Sequence, residues 1–239
     1  MKTSIFETET EAAAYAAQGA AKILSEKPTA LFCLAAGHSS LPFFKAAIAM
    51  NLDFSGARFV EVDEWLELPL DAPGSCAGFL HINFFSKINA QKENICLFDS
   101  MTTDSDAECR RITDRIAAWG GIDYLLLGMG LNGHLALNEP GCDLNGSAHV
   151  SPLAKATLET APKYFGGKMP PIKSGITLGL ADIKAARLIH LLVLGNHKQE
   201  VYQRLRSYTK PNSDLPASAL LDTKQTELIL DRAAAGTSS

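Results

Sequence analysis

Short, nearly continuous apolar runs alternate along this chain with stretches that favour helices. The apolar runs, which predict strands, are residues 30–37, 57–65, 95–98, 122–127, 175–180, 186–195 and 226–231. The helix-favouring stretches are residues 7–25, 43–50, 76–87, 104–119 and 198–208. Strands without polar alternation are buried on both faces, which is typical of parallel sheets covered by helices. The pattern therefore predicts an α/β fold with a doubly wound, mostly parallel sheet and helices on both faces, a three-layer and Rossmann-like architecture.

One segment, residues 141–174, interrupts this pattern. It is rich in Gly, Pro, Ser and Lys and has little periodicity. Long irregular segments in compact domains are usually lids, binding loops or disordered connections. Because the chain shows neither an internal repeat nor a linker, we interpret residues 1–239 as a single domain in which residues 141–174 form a lid or an active-site loop.

Composition narrows the range of partners. With 239 residues, 46% apolar and 20% charged, the chain is an ordinary globular protein with room for a large core. The net charge of −4 gives no electrostatic reason to expect nucleic acid or an anionic membrane as a partner. The five cysteines are scattered without a CxxC pair, which argues against a disulfide framework and a zinc site. No apolar signal core or membrane-length run is present, so we expect a cytoplasmic protein.

The stretch LLLGMGLNGHLALNEPG, residues 125–141, carries the chemistry around which we interpret the chain. An apolar strand leads into a glycine-rich loop with His134, and Glu139 follows five residues later. In open α/β sheets, ligands bind beyond the carboxyl ends of the strands, where this loop would lie. We therefore expect His134 and Glu139 to face a ligand. The alternative is a tight turn with an incidental histidine.

The glycines of this loop match the dinucleotide pattern GxGxxG at Gly128, Gly130 and Gly133. The context does not fit, because a dinucleotide loop opens a helix and precedes, by about 20 residues, an acid that ends a second strand. Here the sequence NEP interrupts any helix. We expect no nicotinamide or flavin cofactor, and we expect glycines such as Gly130 to let backbone amides approach a small substrate.

A second loop between a strand and a helix start is typical of an anion site. It consists of Gly37, His38, Ser39 and Ser40. Exposed amides, small hydroxyl groups and the helix dipole would hold an anion there, although an ordinary capped helix has the same features. Lys198 favours the anion site, because it also follows a strand and a glycine at a helix start, where a cation without an anionic ligand is disfavoured. Lys163 or Lys168 would add a further charge.

Two acids, Asp63 and Glu64, end the strand predicted over residues 57–65. We include both among the candidate site residues, with a surface acid pair as the alternative. The remaining histidines lack a partner motif and are interpreted as structural or solvent-facing, except that His38 and His197 lie beside the two anion loops.

The motifs GHSSLP, VDEW, GMGLNGHLALNEPG and GITLGL occur in this order, and with them the chain resembles the amino-sugar phosphate deaminase/isomerase family over nearly its whole length. The segment FVEVDEWLELPLDAPGSC, with GITLGLADI and PASALL, looks closest to the galactosamine 6-phosphate branch. The resemblance implies that a 2-amino-2-deoxyhexose 6-phosphate is isomerised and deaminated to a ketohexose 6-phosphate and ammonia. It implies neither a metal nor a cofactor.

The same resemblance implies a role for individual residues. Asp63 would be the base that moves a proton between carbons 2 and 1 of the sugar. His134 would open the sugar ring, and Glu139 would orient it. A histidine titrates near neutrality, which suits such a transfer. The phosphate would lie on residues 37–40 with Lys198.

Two positions depart from the family pattern. Asn132 stands where some relatives carry an aspartate that completes the ring-opening group, and Lys163 falls near a phosphate-binding arginine of relatives. Since only one carboxylate is then available, we expect Glu139 alone to support His134.

Two other functions are kept open. A 6-phosphogluconolactonase shares this sheet and the glycine–histidine loop, but the NEP motif and Trp65 favour the deaminase. A non-catalytic sugar-phosphate-binding domain of a regulator would need a DNA-binding segment, and this sequence has none. The expected partner is a small amino-sugar phosphate, with self-association into a homo-oligomer left open.

Overall fold

A computed structural model describes residues 1–167 and 170–237 of the chain. Its strands are β1 (Lys2–Phe6), β2 (Leu31–Leu34), β3 (Arg58–Glu61), β4 (Asp63–Trp65), β5 (Ile95–Cys96), β6 (Tyr124–Gly128), β7 (His149–Pro152), β8 (Ser174–Thr177), β9 (Ile189–Val193) and β10 (Thr226–Asp231). Its α-helices are α1 (Glu9–Glu26), α2 (Leu41–Ala49), α3 (Cys76–Asn83), α4 (Ser105–Ala118), α5 (Lys155–Thr160), α6 (Leu180–Lys184), α7 (Gln199–Ser207) and α8 (Arg232–Ala235). Lys168, considered above as an anion ligand, lies outside the described residues.

Seven strands form one parallel sheet in the order β1-β10-β9-β6-β2-β3-β5. This topology confirms the predicted doubly wound α/β fold. The chain builds the sheet outward from β2 through β3 to β5, and then on the other side from β6 through β9 to β10. The order thus reverses between β2 and β6, and α/β sheets bind their ligands at such reversal points.

Helices cover both faces of this sheet, and alternate residues of each strand enter two separate hydrophobic clusters. On β2, Leu31 and Cys33 belong to one cluster, and Phe32 and Leu34 belong to the other. The first cluster includes buried residues of α4 and α7, and the second includes buried residues of α1, α2 and α3. Burial on both faces explains why these strands lack polar alternation.

The prediction of one continuous strand over residues 57–65 was wrong in its extent. It is divided at Val62, and β4 pairs antiparallel with β8 instead of continuing in the parallel sheet. β8 also pairs with β7, which gives a second sheet in the order β4-β8-β7. Likewise, the run over residues 175–180 ends its strand at Thr177 and then leads into α6. An apolar run indicates that a strand is buried, but it does not indicate which sheet the strand joins. The sequence pattern therefore could not separate the two sheets.

Regular elements also occur where none was predicted. β1 forms an edge of the parallel sheet beside β10. The segment over residues 141–174 contains β7 and α5, followed by a 3₁₀ turn over Ala161–Tyr164. Its predicted irregularity was therefore wrong in part, because these elements are too short to show periodicity. Its assignment as a lid or active-site loop stays a prediction.

Three global features can be examined in the structure. All five cysteines are free thiols. Over residues 1–167 and 170–237, no helix combines the length and the apolar character needed to cross a bilayer. The same residues contain no group of three His, Cys, Asp or Glu side chains placed to hold a metal ion.

Candidate active site

A cleft of about 980 Å³, open to solvent, lies where the loops after β2, β6 and β9 meet. Nine of the candidate residues line it, and they are Gly37, His38, Ser39, Ser40, Asp63, Gly130, His134, Lys163 and Lys198. The other three candidates, Glu64, Asn132 and Glu139, lie behind its wall. Each forms a contact with a residue that lines the cleft, Cys76 for Glu64 and His134 for the other two. The fold therefore brings together residues that are up to 161 positions apart in the sequence.

The loop after β2 forms one end of the cleft. Gly37 begins this loop with a φ of 121°, a conformation that favours glycine. His38, Ser39 and Ser40 form a 3₁₀ turn that leads into α2. The Ser40 side chain does not cap α2, so the alternative of an ordinary capped helix does not describe this loop. The amino end of α2 lies at the cleft, where the helix dipole favours an anion.

Two lysines approach this end of the cleft. Lys198 is only 9% exposed, and its Nζ donates to the Met129 carbonyl over 2.6 Å. Burial, and then the charge of Lys163, lower the pKa of Lys198 to about 8. Burial also lowers the pKa of Lys163, and burial and the charge of Lys163 lower the pKa of His38. Cations held together in a partly buried site are stabilised by an anion, so this end of the cleft suits a phosphate group.

Asp63 also lines the cleft. It is the first residue of β4 and pairs with Thr177 of β8 in the small sheet. Burial, and then the negative charge of Glu64, raise the pKa of Asp63 to about 7. A carboxyl group with a pKa near the working pH is suited to take up and return a proton.

Glu64 was predicted to bind substrate, and the structure places it elsewhere. Its side chain is fully buried and accepts hydrogen bonds from the backbone N–H groups of Trp65, Cys76 and Ala77 at 2.7, 2.9 and 2.8 Å. The last two belong to the first turn of α3, where a carboxylate is favoured by the helix dipole. Successive side chains of a strand point to opposite sides, so Asp63 faces the cleft while Glu64 faces α3.

His134 lies at the carboxyl end of β6 and lines the cleft beside a cluster of polar groups. Its Nδ1 is 3.3 Å from Glu139 Oε2 and 3.3 Å from the Thr157 hydroxyl. Asn132 links His134 to Glu139. Its Oδ1 accepts a hydrogen bond from the His134 backbone N–H at 3.1 Å, and its Nδ2 donates one to Glu139 Oε2 at 2.8 Å. The expectation that Glu139 alone supports His134 was therefore wrong, since Thr157 also contacts the imidazole.

Glu139 is the centre of this cluster. It accepts hydrogen bonds from the Thr157 hydroxyl, from Asn132 and, at 3.3 Å, from the Ala154 backbone N–H. Burial acts to raise the pKa of Glu139, but the hydrogen bond and charge of His134, followed by the hydrogen bonds of Thr157 and Asn132, lower it to about 2. Glu139 is therefore ionised at neutral pH and can only accept hydrogen bonds.

Gly130 provides space for the imidazole. A Cβ atom on Gly130 would lie 2.4 Å from His134 Nε2, so a larger residue would displace the ring. The glycine was expected to let a backbone amide approach the substrate, whereas its N–H donates to the His134 carbonyl at 2.9 Å. The following residues form a turn with a bridge between Leu135 and Asn138 and do not open a helix, unlike a dinucleotide loop.

Several residues of the cleft were not singled out from the sequence. Thr157 and Tyr164 come from the segment over residues 155–164, which also supplies Lys163. Burial, followed by the charges of Cys76 and Asp63, raises the pKa of Tyr164 to about 12, so that its phenol stays protonated. Near Asp63, Gly74, Ser75, Cys76 and Phe79 also line the cleft, together with Trp65, which the sequence had indicated. The composition of these stretches carries no signal for a site, because it is their tertiary placement that brings them to the cleft.

Comparison with known proteins gives a consistent family assignment. The sequence profile described as glucosamine-6-phosphate isomerases/6-phosphogluconolactonase matches residues 5–230. The chain is 37% identical over 202 residues to a protein named putative deaminase AgaI from Escherichia coli strain K12, covering 83% of this chain and 79% of that protein. It is 32% identical over 239 residues to a glucosamine-6-phosphate deaminase from Thermoanaerobacter sp. strain X514, covering 98% and 94%.

Solved structures agree with this assignment. A glucosamine-6-phosphate deaminase described as monomeric superposes with a TM-score of 0.94 at 31% identity, over 99% of each chain. The 6-phosphogluconolactonase of Trypanosoma brucei superposes with a TM-score of 0.77 at 18% identity, over 98% of this chain and 97% of the other. The second likeness shows a shared fold alone.

Proposed function

This chain belongs to the family of glucosamine-6-phosphate isomerases and 6-phosphogluconolactonases, and on that premise we propose that it isomerises and deaminates a 2-amino-2-deoxyhexose 6-phosphate, with galactosamine 6-phosphate preferred. The products are a ketohexose 6-phosphate and ammonia, and one water is consumed. The observation that carries the proposal is the shared cleft, which is lined by Asp63, His134, the anion loop and Lys198, with Glu139 behind His134.

The phosphate is held at the end of the cleft formed by residues 37–40. There the amino end of α2 and the side chains of Lys198 and Lys163 supply positive charge. A dianionic phosphate favours the ammonium form of both lysines, which offsets the effect of their burial. Binding at this end leaves the sugar carbons to extend toward Asp63 and His134.

His134 opens the ring. It accepts the proton of the hydroxyl on carbon 1 and delivers a proton to the ring oxygen, which breaks the bond between that oxygen and carbon 1. Glu139 lies 3.3 Å from Nδ1, on the side of the imidazole away from Nε2, and stabilises the imidazolium that forms during the transfer. The product of this step is the open-chain aldehyde.

Asp63 then transfers a proton within the open chain. It removes the proton from carbon 2 of the aldehyde while the carbonyl oxygen on carbon 1 takes up a proton released by the ammonium group of the substrate, which gives an enolamine. Asp63 then returns its proton to carbon 1, which leaves a hydroxymethyl group at carbon 1 and a protonated imine at carbon 2. Water adds to this imine, and ammonia leaves as the ketose forms. The pKa of Asp63, about 7, suits both halves of the transfer, because the group is neither a very weak base nor a very weak acid at neutral pH.

The preference for galactosamine 6-phosphate is supported by the segment that most resembles that branch. The residues from Asp63 to Cys76 belong to it, and four of them line the cleft together with Asp63. They are Trp65, Gly74, Ser75 and Cys76. The two amino sugars differ in configuration at carbon 4, which lies two carbons along the chain from carbon 2, so these residues are within reach of the position that distinguishes the two sugars.

The proposal is tested by measuring ammonia release from galactosamine 6-phosphate and glucosamine 6-phosphate under identical conditions. We expect release from both, with the higher kcat/KM for galactosamine 6-phosphate, and no hydrolysis of 6-phosphogluconolactone. A higher kcat/KM for the glucosamine epimer would overturn the preference only. Lactone hydrolysis without ammonia release would overturn the deaminase assignment and identify the chain as a lactonase.

A further inference from the structure

Thr157 is a buried polar residue that no sequence motif singled out. It lies on α5, is 4% exposed, and its hydroxyl contacts two groups of the ring-opening cluster. It donates to Glu139 Oε1 in a short hydrogen bond and lies 3.3 Å from His134 Nδ1. The segment that carries it also carries Lys163, which lines the phosphate end of the cleft.

The single proton of the hydroxyl determines the direction of these contacts. Glu139 is ionised, so it can only accept, and the Thr157 proton must point to Oε1. Only a lone pair of the Thr157 oxygen then remains for His134 Nδ1. The other neighbour of Nδ1 is Glu139 Oε2, which is also an acceptor. A ring nitrogen that faces two acceptors is satisfied only if it carries a proton.

We propose that Thr157 is a positioning residue for ring opening, which together with Glu139 holds His134 in the tautomer that is protonated on Nδ1. Nε2, which lies next to Gly130 at the cleft surface, is then unprotonated and free to accept the sugar proton. This inference rests on the proposed function and adds a residue to it. A purely structural Thr157 would only donate a hydrogen bond to the buried Glu139 carboxylate and would not affect the tautomer of His134.

The kinetic test compares Thr157→Val, which keeps the shape but removes the hydroxyl, with Thr157→Ser, which keeps the hydroxyl. We expect Thr157→Val to lower kcat by about 10–100-fold, the range found when a histidine that binds a metal loses its supporting hydrogen-bond partner, with little change in KM. We expect Thr157→Ser to restore most of kcat. Thr113→Val is the matched control, because Thr113 lies on α4 and its hydroxyl bonds only to carbonyls of its own helix.

A binding measurement separates positioning from damage to the fold. The probe is an open-chain 2-amino-2-deoxyhexitol 6-phosphate, which has no ring to open. We expect wild type and Thr157→Val to bind it with similar affinity. A parallel loss of this affinity and of kcat would overturn the proposal in favour of a structural role, and so would a kcat for Thr157→Val equal to that of wild type.

Nitrogen-15 NMR of the imidazoles reports the tautomer directly, with His134→Asn used to identify the His134 signals. We expect Nδ1 protonated and Nε2 unprotonated in the wild type, and signals averaged between the tautomers in Thr157→Val. A wild-type His134 protonated on Nε2 would overturn the proposal. Because the free enzyme is measured, this result stands even if neither amino-sugar phosphate is deaminated, which would be a failure of the proposed function alone.

Discussion

The pH dependence of the reaction follows from two groups of the cleft, Asp63 and Lys198, whose pKa values are brought close to neutrality. If Asp63 is the base, kcat/KM requires its ionised form, and a pKa of about 7 leaves half of the free enzyme active at pH 7. At pH 6 the ionised fraction is roughly one tenth, so kcat/KM should fall about fivefold between pH 7 and pH 6 and about tenfold for the next unit. An aspartate with an ordinary pKa near 3.8 would show no decline in this range.

The alkaline side of the profile reports Lys198. Its pKa of about 8 means that the free enzyme loses this charge above pH 8, so that the phosphate binds less tightly and kcat/KM declines. A bound phosphate favours the ammonium form, so kcat at saturating substrate should not show this decline until higher pH. We therefore expect a narrow bell-shaped pH profile for kcat/KM. The pH profile of kcat should be broader on its alkaline side.

The substrate phosphate itself loses its second proton near pH 6, so a variant is needed to assign the acid limb. Burial is the larger cause of the raised pKa of Asp63, and the charge of Glu64 adds to it. Glu64→Gln removes that charge and should move the acid limb part of the way to lower pH, whereas it cannot affect the titration of free substrate. Glu64→Asp keeps the charge, and Glu227→Gln removes one that is paired with Lys2 at the far end of β10. Both controls should leave the limb in place. A limb that does not move in Glu64→Gln, or one centred near pH 4 in the wild type, would refute the assignment of Asp63 as the base.

Three further results are expected. Asp63→Asn should lower kcat by about 10²–10⁴-fold with substrate binding largely retained, since the amide keeps the shape but cannot take the proton; a rate near that of wild type in an ammonia assay would place the base elsewhere. Lys198→Ala should mainly raise KM, because the phosphate is present in both ground and transition states; equal damage to the sugar without phosphate would make Lys198 structural. Glu61→Gln should raise the melting temperature at pH 8 more than at pH 5. Burial raises the pKa of Glu61 well above 4.5, so the folded state must keep a proton that the unfolded chain releases as pH rises; identical melting shifts at both pH values would contradict this.

The elements that hold the site were predictable because their signals are local. A strand such as β6 is buried on both faces and is recognisable from a few consecutive residues. The glycines and polar residues after β2, β6 and β9 mark the carboxyl ends of the strands, where ligands bind in this type of sheet. Gly37, His134 and Lys198 were therefore identified before their mutual positions were known, and the fold places all three on one cleft.

The parts that were not predicted depend on contacts between distant residues. Glu64 directly follows Asp63 in the sequence, yet it is buried against the first turn of α3. Nothing in the local sequence distinguishes the two acids. The helix α5 has six residues, too few for a periodic signal, and its Thr157 reaches Glu139 only through the tertiary fold.

Asn132 stands where the resemblance implies an aspartate in some relatives, and its contacts show what the amide does in this chain. Its carbonyl oxygen accepts from the His134 backbone N–H, which an aspartate at this position would also do, so the shape of the loop does not require the amide. Its Nδ2 donates to Glu139 at 2.8 Å, which an ionised aspartate could not do, and a second carboxylate at that distance would repel the first. The cluster around His134 is thus built for one negative charge, with Asn132, Thr157 and the Ala154 N–H as its donors. Glu139 is consequently fixed in place by neutral groups, and its charge is left to act on the imidazole alone.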